Sequence, residues 1–295
     1  MISDDYLKYP KRRYGMDHDR YEWSMLHSRK KVAWPNGARV ALWVTVSLQW
    51  FPLDQQGKPF KAVGSLQTAY PDLRHYTLRD YGNRVGVFRI LKALEKHGIR
   101  ASAPVNAAVA VRYPTLVQEL VSKGWELIGH GLDMDRLHYE GMADEPAAIQ
   151  KSLAVLRNFG KVRGWLSPAR SESHQTLDLL AQAGIDYVCD WVNDDVPYPM
   201  KAGGRTLHAM PHSNDIEDAN TLIAMHQDED ELRQQWIDHF DVLHKEGGRI
   251  LALPLHSWVI GHPYRIGTLE AVLDHIMRRG DVWHATGAEI LDAWI

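Results

Sequence analysis

Gly124-Trp125-Glu126-Leu127-Ile128-Gly129-His130-Gly131-Leu132-Asp133-Met134-Asp135 reads as a turn, a short buried strand and a polar mouth. Gly124 closes the helix before it, and Trp125, Leu127 and Ile128 supply the buried run. His130 stands where that strand runs out, with carboxylates three and five residues later. A second stretch repeats the form, from Arg249 through Leu253-Pro254-Leu255 to His256-Ser257-Trp258. In parallel sheets chemistry gathers at the carboxyl ends of the strands, because the loops there vary while the strands hold them still. A hydrogen-bonded core histidine explains either site alone. Two strands that each end in a histidine point to an active site.

Outward from these strands the chain alternates. Trp34-Pro35-Asn36-Gly37 is a turn that launches an apolar strand over residues 39–46, ending in Ser47-Leu48-Gln49-Trp50. A continuous apolar run means a strand covered on both faces. Residues 52–80 read as a long loop, of the kind that serves as a lid or a subunit contact. A helix opens at Tyr81-Gly82-Asn83-Arg84-Val85-Gly86 and closes at Gly98. Further strands are expected over residues 101–105, 162–165, 185–189, 206–210 and 282–284. Helices are expected over residues 114–123, 146–159, 175–183, 229–245, 268–279 and 288–295. About eight strands alternating with helices predict a parallel sheet, and in one domain of this size an irregular (β/α) barrel over residues 39–295. No Gly-rich phosphate loop follows the first strand, which disfavours a dinucleotide fold. Residues 1–38 mix charge with aromatics and show no period; they read as an arm packing on the barrel or on a neighbouring subunit.

Composition bounds the function. The net charge is −3 with the signs interspersed, so no basic stripe invites nucleic acid or an anionic membrane. No apolar run approaches the ~20 residues of a membrane span, and Met1-Ile2-Ser3-Asp4-Asp5-Tyr6 lacks the basic and apolar regions of a signal peptide, so a cytoplasmic protein is expected. Cys189 is the only cysteine, which rules out an intrachain disulfide and disfavours a thiolate metal site. The 11 Trp and 16 His are high, and tryptophan in that number suits a deep pocket, a subunit interface or a core.

Six strand ends carry candidate chemistry: Ser47 with Gln49, His130 with Asp133, Ser167 with Arg170, Asp190, His212 with Asp215, and His256. Two histidines suit acid–base work near neutral pH. Arg170 is a fixed donor for a developing oxyanion. Asp133 and Asp190 are the carboxylates available to orient an imidazole. Asp194-Asp195 reads as a solvated loop, and Arg84 as either a helix-start salt bridge or a substrate contact. No Gly-x-Ser-x-Gly elbow is present, so covalent catalysis has no support.

The order of these mouths resembles the polysaccharide deacetylase (NodB-homology) family, an irregular (β/α) barrel of carbon–nitrogen hydrolases. The segments Tyr81 to Gly86, Gly129-His130-Gly131, Gly164-Trp165 with Arg170, and Leu255-His256 followed by Ile260-Gly261, Pro263 and Arg265 are similar to a branch containing metal-independent allantoinases and cyclic imide hydrolases. By that resemblance His130 matches the first histidine of the family's metal-binding motif, His256 the late-barrel catalytic histidine, and Arg170 the arginine motif. The paired aspartates that end the first strand of the metal-dependent members are absent; Ser47 and Gln49 stand there, and Met134 stands where a second metal histidine belongs.

The expectation is therefore hydrolytic opening of a small cyclic amide, an imide or ureide, with no cofactor and no catalytic metal. His130, His256, Arg170 and Asp133 are the catalytic candidates. Gln49, Tyr81, Arg84, Trp165, Trp191, His212 and Trp258 are the substrate-binding candidates. The resemblance implies a homo-oligomer, with a tetramer favoured. A zinc-assisted deacetylase of a saccharide or small amide, with Asp133 or Asp135 completing the site, and a non-catalytic ligand-binding barrel are the competing readings.

Overall fold

A computed structural model of the chain describes residues 16–55 and 71–295. The first half runs β1 (Val40–Ser47), α1 (Leu73–Tyr81), α2 (Val87–Glu95), β2 (Ser102–Val105), α3 (Ala107–Arg112), α4 (Pro114–Ser122), β3 (Glu126–Gly129), α5 (Glu145–Leu156) and β4 (Val162–Trp165). The second half runs α6 (Thr176–Gln182), β5 (Tyr187–Val188), β6 (Tyr198–Ala202), β7 (Arg205–Ala209), α7 (Glu229–Glu246), β8 (Arg249–His256), α8 (Ile266–Met277), β9 (Val282–His284) and α9 (Gly287–Trp294).

The strands form one curled sheet in the order β6-β7-β5-β4-β3-β2-β1-β8, with β9 also on β1. Every pairing is parallel except the β6–β7 hairpin. This is the irregular (β/α) barrel expected from the alternation of strands and helices. Strand β1 is its axis of assembly. It pairs with β8 along its whole length, and its other edge is shared by β9 at the start and β2 at the end. All eight residues of β1 are buried, as a strand covered on both faces requires. Between β8 and the hairpin, the loop after β5 bridges the seam: the Ile250 N–H donates to the Asp195 carbonyl at 3.1 Å.

Two apolar clusters hold this layout. The larger lies between sheet and helices, with Leu42, Val44, Ile90, Leu153, Trp165, Trp236 and Phe240 among its members. The smaller fills the barrel interior with Trp43, Ile128, Tyr187, Met210 and Ile250. Buried on this scale, each large side chain contributes ~2 kcal/mol or more.

Two local expectations change. Residues 73–81, read as part of a long loop, form α1; Asp72 caps it, accepting the His75 N–H. A π-turn over Gly82–Gly86 then joins α1 to α2. Residues 56–70 of that stretch, and residues 1–15 of the arm, lie outside the described residues. Strand β6 was not expected at all. The Gly203-Gly204 pair that turns it into β7 is an ordinary two-residue hairpin connection.

The described part of the arm lies against the barrel. Trp34 is buried, and its Nε1–H donates to the Arg249 carbonyl. Arg20 pairs with Asp178, and Arg29 with Asp194. Among the described residues no helix is long and apolar enough to cross a membrane.

Candidate active site

The parallel register brings the first and last mouths together, since Ser47 at the end of β1 lies directly opposite His256 at the end of β8. Gln49 shares Ser47's face by the two-residue strand period. With His130, Ser167, Arg170 and Glu217 they line a cavity of about 300 Å³, whose apolar wall includes Met134 and Leu166.

His130 is locked from two sides. Asn106, buried just after β2, donates from its side chain to the His130 carbonyl and accepts the Trp50 N–H, tying the ends of β1 and β3 together. The imidazole Nδ1 lies 2.6 Å from the Leu166 carbonyl and must donate to it. That fixes the tautomer and leaves Nε2 as an acceptor. Nε2 lies 3.3 Å from the Gln49 amide nitrogen, and the Gln49 oxygen accepts the Trp258 indole N–H. Burial pushes the His130 pKa down to about 4, so the ring is neutral. Gly131 follows with φ +67°, and a Cβ there would stand 2.6 Å from Pro168. Only glycine fits both the backbone and the space.

His256 is also held through Nδ1, but by a carboxylate. Its backbone N–H donates to both oxygens of Asp218, and its Nδ1 donates to Asp218 Oδ1 at 2.8 Å. Asp218 is fully buried and also accepts the Ile260 N–H. With Nδ1–H so engaged, Nε2 faces Glu217 at 3.6 Å. Burial works to lower the His256 pKa, but the carboxylates of Glu217 and Asp218 outweigh it and raise the value above that of a free imidazole.

Arg170 lies on a strained loop. Ala169 and Arg170 both adopt φ +54°, a left-handed conformation costly for side chains with a Cβ. The guanidinium donates to the Cys189 carbonyl and to Nδ1 of His212. His212 must then donate from Nε2 to the Thr45 hydroxyl at 2.8 Å. His212 is thus a clamp behind Arg170, and the described residues lining the cavity do not include it. Asp190 contacts no imidazole; its carboxylate accepts the Ser167 N–H. Burial raises the Asp190 carboxyl to about 6, and burial together with the charge of Asp190 raises neighbouring Glu172 to about 9.

Several expected contacts fall elsewhere. The Asp133 carboxylate accepts the Asp135 and Arg136 N–H groups, so it shapes its own turn and orients no histidine. Trp165 is wholly buried in the outer core, because β4 turns it toward Gly129 and the helices. Trp191 sits beside Glu172 and Tyr21. Tyr81 stacks on His262, with ring centroids 4.4 Å apart, and accepts from Arg89; Arg84 is exposed. Gly86 and Gly261 in these segments permit close packing, since a Cβ on Gly86 would lie 2.0 Å from the Ser257 carbonyl. Trp258 touches the site through Gln49 and packs edge-on to His256. Glu217, Asp218 and Asn106 were not singled out from sequence. The signal for the first two was present in Asp215-Ile216-Glu217-Asp218, a carboxylate cluster just past the His212 mouth.

Among the described residues no three His, Cys, Asp or Glu side chains converge as a metal site. Met134, Ser47 and Gln49 line the cavity and bring neither a carboxylate nor an imidazole to it. This donor set does not fit a catalytic zinc ion, which takes three nitrogen, sulfur or carboxylate ligands.

Residues 76–188 match the profile of the polysaccharide deacetylase family. A putative polysaccharide deacetylase of Schizosaccharomyces pombe (strain 972 / ATCC 24843) is 26% identical over 241 residues, which cover 73% of this chain and 74% of that protein. The crystal structure of PuuE allantoinase superposes with a TM-score of 0.82 at 24% identity and covers 97% of both chains. A probable polysaccharide deacetylase from Pseudomonas aeruginosa PAO1 gives 0.80 at 24% identity, covering 90% of this chain and 94% of that one. The two structural likenesses speak for the fold. Over residues 76–188 the chain is similar to the polysaccharide deacetylase family.

Proposed function

We propose that this protein hydrolyses the carbon–nitrogen bond of a small cyclic amide, an imide or a ureide, without a catalytic metal. One observation carries the reading. Two buried imidazoles face one cavity, each with its Nδ1–H engaged: burial keeps His130 neutral, so its Nε2 accepts, whereas the carboxylates beside His256 favour its protonated form, whose Nε2 donates. His130 can accept the substrate N–H, with the Gln49 amide beside it as a donor to a carbonyl. His256 can protonate the departing nitrogen, and Arg170 can stabilise the oxyanion.

The chemistry of the substrate supports the same reading. The nitrogen of an imide or ureide is flanked by a second carbonyl, so it leaves as a stabilised anion and needs less Lewis-acid help than a sugar acetamide. A cavity of about 300 Å³ lies at the small end of ligand pockets and suits a single small ring. The missing aspartate pair and Met134 speak against a step through zinc. A homotetramer is part of the same proposal, and light scattering on the purified protein tests it.

The profile match over residues 76–188 favours a second reading, metal-assisted deacetylation of a saccharide or small amide. One experiment separates the two. Ring opening of succinimide, maleimide, hydantoin, dihydrouracil and allantoin is followed with and without a strong chelator. Turnover of at least one ring, untouched by chelator, is the expected result. Turnover abolished by chelator and restored by Zn²⁺ establishes the metal-assisted reading, and silence on all five rings rules out the cyclic-amide reading.

A further inference from the structure

The neighbouring carboxylates Glu217 and Asp218 are not equivalent. Asp218 is fully buried and engaged by the N–H groups of His256 and Ile260 and by the His256 ring. Glu217 lines the cavity, with Oε1 3.6 Å from His256 Nε2. Ring opening needs a group that takes a proton from water. His130 is a poor one, because burial pushes its pKa down to about 4 despite the hydrogen bond to the Leu166 carbonyl. His256 lies between two carboxylates that hold a proton on it, with the opposing charge of Arg170 the weaker influence. Arg170 offers only N–H donors. Asp190 and Glu172 are absent from the described lining, and among the residues that do line the cavity Glu217 is the one carboxylate.

We propose that Glu217 is the general base that deprotonates the attacking water. The inference rests on the cyclic-amide reading and adds the catalytic residue that reading lacks. Glu217 takes one proton of the water as its oxygen bonds to the carbonyl carbon, and the carbonyl electron pair moves onto the oxygen. When the tetrahedral intermediate collapses, the carbon–nitrogen bond breaks and its pair stays on nitrogen, which takes the proton from His256 Nε2. The new carboxylic acid loses its proton to solvent. Glu217 is then protonated and His256 neutral. The 3.6 Å between them lets the proton pass back, directly or through one water, which restores the starting state.

The test compares the wild-type protein with Glu217→Gln and Glu217→Ala on the fastest ring of the five, over a range of pH. Glu217→Gln should lose about 10²–10⁴ in kcat, the range for removing a general base. Formate should revive Glu217→Ala at least tenfold in kcat by supplying the missing carboxylate, an effect that no purely structural role would produce. Ring opening within threefold of wild type in Glu217→Gln overturns the inference and leaves the cyclic-amide reading standing. So does a Glu217→Ala protein that melts at the wild-type temperature yet gains nothing from formate. A wild-type protein inert toward all five rings overturns both.

Discussion

The ring nitrogens of the two histidines are assigned by their partners, and those partners were the hardest residues to see in advance. His130, His256 and Arg170 were legible because each stands at the end of an apolar run, where a strand must stop. Asp218 was not. It follows β7 by nine residues in an aperiodic loop, and only folding brings it 2.8 Å from His256 Nδ1. Trp165 was misplaced for a related reason. A strand end shows where a side chain emerges, but the face it takes depends on the neighbour, here Gly129. The Asp218 contact yields a prediction with a definite sign. A carboxylate stabilises the imidazolium, so Asp218→Asn should lower the His256 pKa from its raised value. At any pH above that value a smaller fraction of His256 then carries the proton. The high-pH fall of the kcat profile should move to lower pH, and kcat near neutrality should drop by about tenfold or more. A profile superimposable on wild type would remove Asp218 from the mechanism.

Among the elements, the helices and the long apolar strands follow from their periodicity, whereas β6 and α1 do not. Strand β6 alternates buried and exposed residues but is only five residues long and contains Pro199, and it pairs because Gly203-Gly204 returns it onto β7. Helix α1 buries only His75 and Arg79, so its apolar stripe is nearly invisible in the sequence. The short connection from β4 to Arg170 is the element on which function and stability pull in opposite directions. Two consecutive left-handed residues with Cβ atoms hold Arg170 against His212 and Cys189. Replacing Ala169 by glycine removes a conformational penalty of ~1–2 kcal/mol but loosens the unfolded and folded chains alike. Ala169→Gly should therefore melt within a few degrees of wild type or slightly above it, while kcat falls as Arg170 gains freedom. Thermal denaturation beside steady-state rates checks this, and a clear loss of stability would contradict the account of strain.

In the whole molecule, alternation of strands and helices was enough to anticipate the barrel, but not the seam between β8 and the β6–β7 hairpin. Seams are set by which strands are too short to reach their neighbours, and strand length at ±2 residues is below what periodicity resolves. The full-length pairing of β1 with β8 has a further consequence, in time rather than in space. The two strands lie about 200 residues apart in the chain, yet Ser47 meets His256 across their ladder. At about 5–20 residues per second, a ribosome releases β8 some ~10–40 s after β1. For that interval a largely apolar strand waits without its main partner, an open edge of the kind chaperones cover. Loop closure over such a distance is slow, so the catalytic cavity should be the last part of the nascent protein to exist. In refolding from denaturant, enzymatic activity should return with the final kinetic phase, after most of the helical signal; activity that returned ahead of it would mean that the two strands meet early.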